Sequence, residues 1–369
     1  MTGPAATGPA DPVLVVGAGL VGTSVGLALR RAGARVHLQD HDRSALVVAG
    51  SRGAGEIGAL GADGRTADGD DVRLVVVAVP PGRVAEVAAA SLAAYPQAVV
   101  TDVASVKAEP LRALAARVEP ADIRRYVGSH PMAGSEQSGP WAAAAELFDG
   151  RAWAVTPHLT ADAAAVTTVA ALARGCGAQV VTMSPDEHDL AVARVSHLPH
   201  LLSVLTASQL LAAPTEHLRL SGQGLRDVTR VAAGDPALWR QILVANAAPL
   251  VQLLHGVRDD LDALLAGLAT GDPGVTAVLD RAVDGTRRIP AKHGGPPRVE
   301  AVVWVSVPDR PGELARLFAD AGDSGVNVED LRIDHDPGRP TGLVELVVQT
   351  EAAGRLVEAL GARGWSVHR

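Results

Sequence analysis

Three glycines and a carboxylate at set intervals are the first residues here that could hold a ligand. Gly17, Gly19 and Gly22 follow the apolar run Val13 to Val16, and Asp40 closes a second short run, Arg35 to Gln39. That spacing suits a dinucleotide: Gly17 allows a tight strand-to-helix turn, Gly19 lets a pyrophosphate approach the backbone, and Gly22 lets the helix from Leu20 pack close. The helix N-terminus then faces the phosphates, and Asp40 is placed to hydrogen-bond a ribose. A carboxylate there attracts a 2′-hydroxyl and repels a 2′-phosphate, so NAD is expected over NADP, although Arg43 lies near enough in sequence to meet a phosphate.

Further on come residues able to move a proton or grip a carboxylate. The stretch Gly128-Ser129-His130-Pro131-Met132-Ala133-Gly134-Ser135-Glu136 is polar within apolar surroundings. Its glycines and prolines predict a loop after a short strand, Arg125 to Val127, with His130 on the cofactor side of a sheet. An imidazole titrates near neutrality and suits proton transfer. Ser196-His197-Leu198-Pro199-His200 falls in a long helix whose bonding Pro199 must disturb one turn back. Arg226-Asp227-Val228-Thr229-Arg230, with Trp239 beyond, supplies a guanidinium fork for a planar carboxylate and a large flat side chain. The spacing of His130, His197 and His200 matches no zinc pattern, and no metal is expected.

The elements that must position these groups follow from periodicity. From Val13 to about Thr182 strands and helices alternate, with further strands at Arg73 to Val79, Ala98 to Thr101, Ala152 to Thr156 and Gln179 to Thr182. This predicts an α/β, doubly wound parallel sheet over residues 12–183, after a disordered tail at 1–11. Ligands in such sheets lie beyond the carboxyl ends of the strands, so Val79-Pro80-Pro81 and Thr101 to Ser105 should border the cofactor. Ser184-Pro185-Asp186-Glu187 is a capping box that opens an all-helical domain, 184–289, with further helix starts at Asp235-Pro236 and Asp272-Pro273. Several of its helices are apolar over more than one face, which predicts burial against a second copy. A linker, 290–298, leads to 299–369, where the order βαββαβ is ferredoxin-like.

Composition narrows the function. A net charge of −8 with few aromatics disfavours nucleic acid. It also leaves local arginines to capture an anionic substrate. One cysteine, Cys176, excludes a disulfide framework within the chain and suits a small buried hydrophobe. No long run free of charges and turn-formers suggests a membrane span, and a cytoplasmic protein is expected.

The chain from Val13 to Ile289 resembles the prephenate dehydrogenase family, which includes arogenate and cyclohexadienyl dehydrogenases. The resemblance rests on the glycine fingerprint, Asp102-Val103-Ala104-Ser105-Val106-Lys107, His130 to Glu136, Ser196 to His200, and Asp227 to Arg230 with Trp239. Asp309-Arg310-Pro311-Gly312 and Gly325-Val326-Asn327 make the tail look like an ACT regulatory module. The family implies a Rossmann-type domain, a helical dimerisation domain, and oxidative decarboxylation of prephenate to 4-hydroxyphenylpyruvate. It implies His130 as the proton acceptor, Ser105 orienting it, Arg230 on a substrate carboxylate, His197 on the substrate side chain and Glu136 gating the pocket. Each has a plainer role open to it. Ser105 suits a helix N-cap ahead of Val106, Arg230 an ion pair with Asp227, Glu136 a solvated loop and Trp239 core packing. His188 and His200 suit a helix surface or a dimer contact.

Arogenate dehydrogenase is the nearest alternative activity, since its substrate differs only in an amino group. A non-catalytic sensor of dinucleotide and amino acid is disfavoured by a complete proton-transfer set. A β-hydroxy-acid-type dehydrogenase would use a lysine in the helical domain, and residues 184–288 contain none. The pathway the resemblance implies predicts an aromatic amino acid as feedback effector.

Overall fold

The computed structural model describes residues 10–58, 65–66, 69–134, 137–271, 274–289, 300–334 and 341–369. The expected tail up to residue 9, the linker and the helix start at Asp272-Pro273 lie outside the described residues. The chain divides into two units, one ending at Leu261 and the other beginning at Asp262.

The first unit is built on a five-stranded parallel sheet in the order β3-β2-β1-β4-β5, from β1 (Val13–Val16), β2 (Val36–Gln39), β3 (Glu56–Ile57), β4 (Leu74–Val77) and β5 (Val99–Asp102). Its helices are α1 (Leu20–Arg31), α2 (Arg43–Ser51), α3 (Val84–Ala94) and α4 (Ala108–Ala115), with a single turn at α5 (Pro120–Ile123). In β1 alternate residues serve different cores. Val13 and Val15 pack with Val25, Leu29 and Leu172, whereas Leu14 packs with Val75, Leu92 and Leu114 on the other face. A strand covered on both faces must be apolar throughout, which is why Val-Leu-Val-Val reads as an unbroken run.

The sheet does not continue as a simple parallel series. Arg125 to Val127 touches β5 only through a parallel bridge at Tyr126, and the strand proper is β6 (Gly128–Pro131). β6 runs antiparallel to β7 (Ala152–Thr156), which pairs in parallel with β8 (Gln179–Thr182) across α6 (Ala163–Gly175). His130 therefore stands on a strand, not on the predicted loop. Gly128 allows this, because a Cβ there would lie 2.9 Å from Thr156 Oγ1 and 3.3 Å from Asp102 Oδ2. Pro131 is tolerated because it ends a strand paired on one side.

Helices complete the unit: α7 (Pro185–Val192), α8 (Leu198–Ser208), α9 (Thr215–Leu218), α10 (Gln223–Arg230), α11 (Pro236–Ala245) and the start of α12 (Ala247–Thr270). The predicted capping box at Ser184 and Glu187 is formed. Pro185 to Ala212 has the length and mean hydropathy, 1.2, of a membrane crossing. Yet His188, Asp189, His197 and His200 within it are buried against the rest of the unit. Leu205, Leu211, Leu220 and Val244 are exposed on the helical surface.

The second unit contains α13 (Gly274–Thr286) and a βαββαβ module: β9 (Glu300–Pro308), α14 (Glu313–Asp323), β10 (Val328–Asp334), β11 (Thr341–Gln349), α15 (Thr350–Ala362) and β12 (Ser366–His368). Its antiparallel sheet has the order β10-β11-β9-β12. Val303, Val305, Val344 and Leu346 face Leu317, Leu356 and Leu360 in a separate core, as strict alternation in β9 and β11 predicts.

Candidate active site

A cleft of about 960 Å³ is lined by Gly17, Gly19, Asp40, Val79, Pro80 and Gly139 among others. Gly17 has φ +112°, and a Cβ there would stand 2.3 Å from the Ala78 carbonyl oxygen. Gly22 lies behind the wall, where a Cβ would meet the Gly17 carbonyl oxygen at 1.9 Å. A side chain at either position would push α1 off the sheet. Gly19 differs: a Cβ there meets nothing within 4 Å, so its backbone is open to an approaching pyrophosphate. Leu20 is the first residue of α1 and is not among the lining residues.

Asp40 is fixed from behind. Its carboxylate accepts from Ala18 N–H and, at 2.7 Å, from Asp42 N–H, while keeping its place on the cleft wall. A carboxylate held there suits a ribose with a free 2′-hydroxyl. Arg43 is exposed and is not a lining residue, which removes the counter-indication raised by the sequence. The residues present thus fit NAD.

Beyond the carboxyl end of β5, β6 is tied across the sheet. Ser129 Oγ donates to the Asp102 carbonyl at 2.8 Å and lies 3.1 Å from Thr101 Oγ1. Behind it, the Lys107 ammonium pairs with Asp102 and donates to the Ser129 carbonyl at 2.7 Å. Tyr126 donates its hydroxyl to Asp102 at 2.6 Å. His130 follows immediately, so a buried, charge-paired network sets the backbone that carries it.

The His130 ring meets the helical region directly. His130 Nδ1 lies 2.9 Å from His188 Nε2, and His188 Nδ1 lies 2.8 Å from Asp189 Oδ1. Asp189 also accepts the backbone N–H groups of Lys107 and Ala108, each at 2.9 Å, through its two oxygens. That carboxylate, and not Ser105, caps α4, whose N-cap residue is Lys107. A carboxylate outdoes a hydroxyl there because its bonds are charge-assisted and it meets the positive end of the helix. Ser105 remains partly buried in the turn between β5 and α4.

His197 is 1% exposed. Asn246, where α11 and α12 meet at 94°, donates from Nδ2 to the Asp189 carbonyl at 2.8 Å and faces His197 Nδ1 at 3.1 Å. A carbonyl only accepts, so the Asn246 atom is the amide nitrogen and His197 Nδ1 is the acceptor. Trp239 stacks on His200 with centroids 3.4 Å apart and meets His197 edge-on at 6.2 Å. Gly234 makes room for its indole, since a Cβ there would lie 2.5 Å from Nε1. Arg230 ends α10, which packs on α8, the helix that carries His200. Asp227, offered by the sequence as its ion-pair partner, accepts from Gln223 Nε2 at 2.9 Å. Glu136 lies outside the described residues.

Burial, with smaller contributions from His188, Lys107 and His197, holds the His130 imidazole well below the usual histidine range. Burial likewise lowers His197 to about 4. Both rings are uncharged at neutral pH. The unfolded chain takes these protons first, so their contribution to stability is complete above about pH 6.5 and is lost as pH falls toward 4. We expect a loss on the order of 2 kcal/mol across that window from His197 alone. Chemical denaturation at stepped pH checks this, and a flat profile would contradict the buried neutral state.

His188, offered by the sequence as a helix-surface or dimer-contact residue, is instead buried against His130, and Asp189 is the residue that sequence reasoning missed. At about 100° per residue, nine residues place His188 and His197 on opposite helix faces. Residues Ala193–His197 instead form a π-helical turn, which turns the following helix so that both rings are buried. Pro199 was the available signal, since its missing N–H frees the carbonyl one turn back.

A glycine-lined dinucleotide cleft, with a buried neutral imidazole beyond the carboxyl end of β5 in the same unit and braced by a helical region, defines a nicotinamide-dependent dehydrogenase. Family models for the prephenate dehydrogenase nucleotide-binding domain and dimerization domain match residues 25–182 and 184–274. The chain belongs to the prephenate dehydrogenase family. It is similar to the probable prephenate dehydrogenase NovF of Streptomyces niveus, with 37% identity over 95% of this chain and 98% of that protein. It is also similar to the prephenate dehydrogenase of Bacillus subtilis, with 28% identity over 92% of this chain and 93% of that one. The prephenate dehydrogenase of A. aeolicus, solved with hydroxyphenyl propionate and NAD+, superposes with a TM-score of 0.65 at 26% identity over 74% of this chain and 96% of that one. The chain is accordingly an oxidoreductase with NAD as its cofactor.

Proposed function

We propose that the enzyme carries out oxidative decarboxylation of prephenate to 4-hydroxyphenylpyruvate, with His130 as the hydrogen-bond and proton acceptor for the C4 hydroxyl. The single observation that carries this is the neutral His130 imidazole, held beyond the carboxyl end of β5 by a strand whose neighbours are buried and paired. Bound NAD supplies the hydride acceptor. As hydride leaves C4 and the C1 carboxylate departs as carbon dioxide, His130 holds the hydroxyl proton and returns it to the phenolic oxygen of the product. No net proton is consumed, and formation of the aromatic ring drives the step. Ser105 orients His130. Arg230 receives a substrate carboxylate, His197 and Trp239 bound the substrate, and the family resemblance assigns Glu136 to gating.

The family model for a dimerization domain and the exposed leucines of the helical surface support a homodimer formed through those helices. The C-terminal βαββαβ module has the topology of an ACT module and is assigned to feedback by an aromatic amino acid. Purified protein with NAD and prephenate is expected to form reduced nicotinamide and 4-hydroxyphenylpyruvate. Turnover of arogenate alone, or with NADP alone, would overturn the assignment.

A further inference from the structure

We infer that His188 and Asp189 are a positioning pair for His130, setting the tautomer in which its Nε2 lone pair is left for the substrate hydroxyl. This rests on the reading of His130 as the acceptor. The protonation states follow from groups that can act in only one sense. The amides of Lys107 and Ala108 only donate, so both Asp189 oxygens accept from them. The same Oδ1 faces His188 Nδ1 at 2.8 Å, which places a hydrogen on Nδ1, and in the neutral ring the lone pair is then on Nε2. That lone pair faces His130 Nδ1 at 2.9 Å. Two lone pairs do not meet at this distance, so His130 carries its hydrogen on Nδ1, and Nε2 is the base.

The pair is held as a rigid unit. His188 is 1% exposed and Asp189 5%, and the Asp189 carbonyl is tied to Asn246. The charged groups around the rings are accounted for: Lys107 is paired with Asp102 behind β6, and Asp189 is anchored on α4. When a proton reaches His130 Nε2, the Nδ1–H bond to His188 becomes charge-assisted, with Asp189 polarising the far side of the second ring. The arrangement works as the aspartate does in a serine protease triad, where holding the right tautomer is the main contribution.

Asp189 also caps α4, so its removal would mix folding with chemistry, and His188 is the cleaner target. In the full-length wild type, NMR of isotopically labelled histidine nitrogens, with His130 assigned from a His130→Asn spectrum, is expected to show His130 protonated at Nδ1 and bare at Nε2. His188→Met is expected to lower kcat on the order of 100-fold while KM and NAD affinity stay within about threefold. His188→Gln keeps an acceptor at the end of its side chain and should recover about tenfold of that loss. A wild-type His130 protonated at Nε2, unchanged kcat in His188→Met, or equal losses in both variants would overturn the inference. Should His188→Met fail to fold, the wild-type spectrum decides alone. Failure of the wild type to oxidise prephenate would remove the proposed substrate and leave the tautomer result standing.

Discussion

Replacing His130 by asparagine is expected to lower kcat with prephenate on the order of 1,000-fold, with NAD affinity within about threefold of the wild type. Asparagine preserves the size of the ring's inner half and can still meet His188, so β6 should hold its place. What it lacks is a basic nitrogen. The effect should therefore fall on the chemical step and leave the cleft around Gly17, Gly19 and Asp40 intact. Steady-state kinetics beside a direct titration of NAD separates the two. Turnover at the wild-type rate would remove His130 from the mechanism. Loss of NAD binding would show instead that the variant disturbs the sheet.

The largest effect on stability is expected at Lys107. Lys107 and Asp102 have side chains 1% and 0% exposed, and the pair bonds to Tyr126 and to the Ser129 carbonyl. Burial lowers the lysine pKa while the Asp102 carboxylate opposes that shift, and the same burial raises Tyr126 well above the usual phenol range. Lys107→Met leaves an uncompensated carboxylate in the core, which costs about 3–5 kcal/mol. A Tm loss of roughly 10 °C follows for a domain of this size. The double variant Lys107→Met with Asp102→Leu should recover part of it, because neither charge is then left alone. Calorimetry of the three proteins checks both statements. A Lys107→Met protein as stable as the wild type would mean that the pair does not hold β6 in place.

Much of the architecture was legible because it follows from local rules. The unbroken apolar runs of β1 and β4 could only be central parallel strands, and the alternation in β9 and β11 could only be a sheet covered on one side. The capping box at Ser184 marked the start of the helical region to the residue. Where local signals misled, a distant partner had intervened. Glycine and proline around His130 read as a loop, yet pairing of β6 with β7 makes it a strand. A helix cap was the plainer role open to Ser105, yet a carboxylate from α7 takes that place.

By itself the sequence determined the cofactor, since the glycine spacing and the carboxylate after β2 act on neighbours within one βαβ unit. It also determined which residue types were available for chemistry. Only the tertiary structure decided which histidine partners His130. His188 and Asp189 come to it from 58 and 59 positions away, through a helix whose π-helical turn shifts its faces. Sequence periodicity assumes a regular helix and reads contacts along one element. Hydrogen bonds across elements depend on how those elements are turned when they pack, and packing is set by the whole core at once.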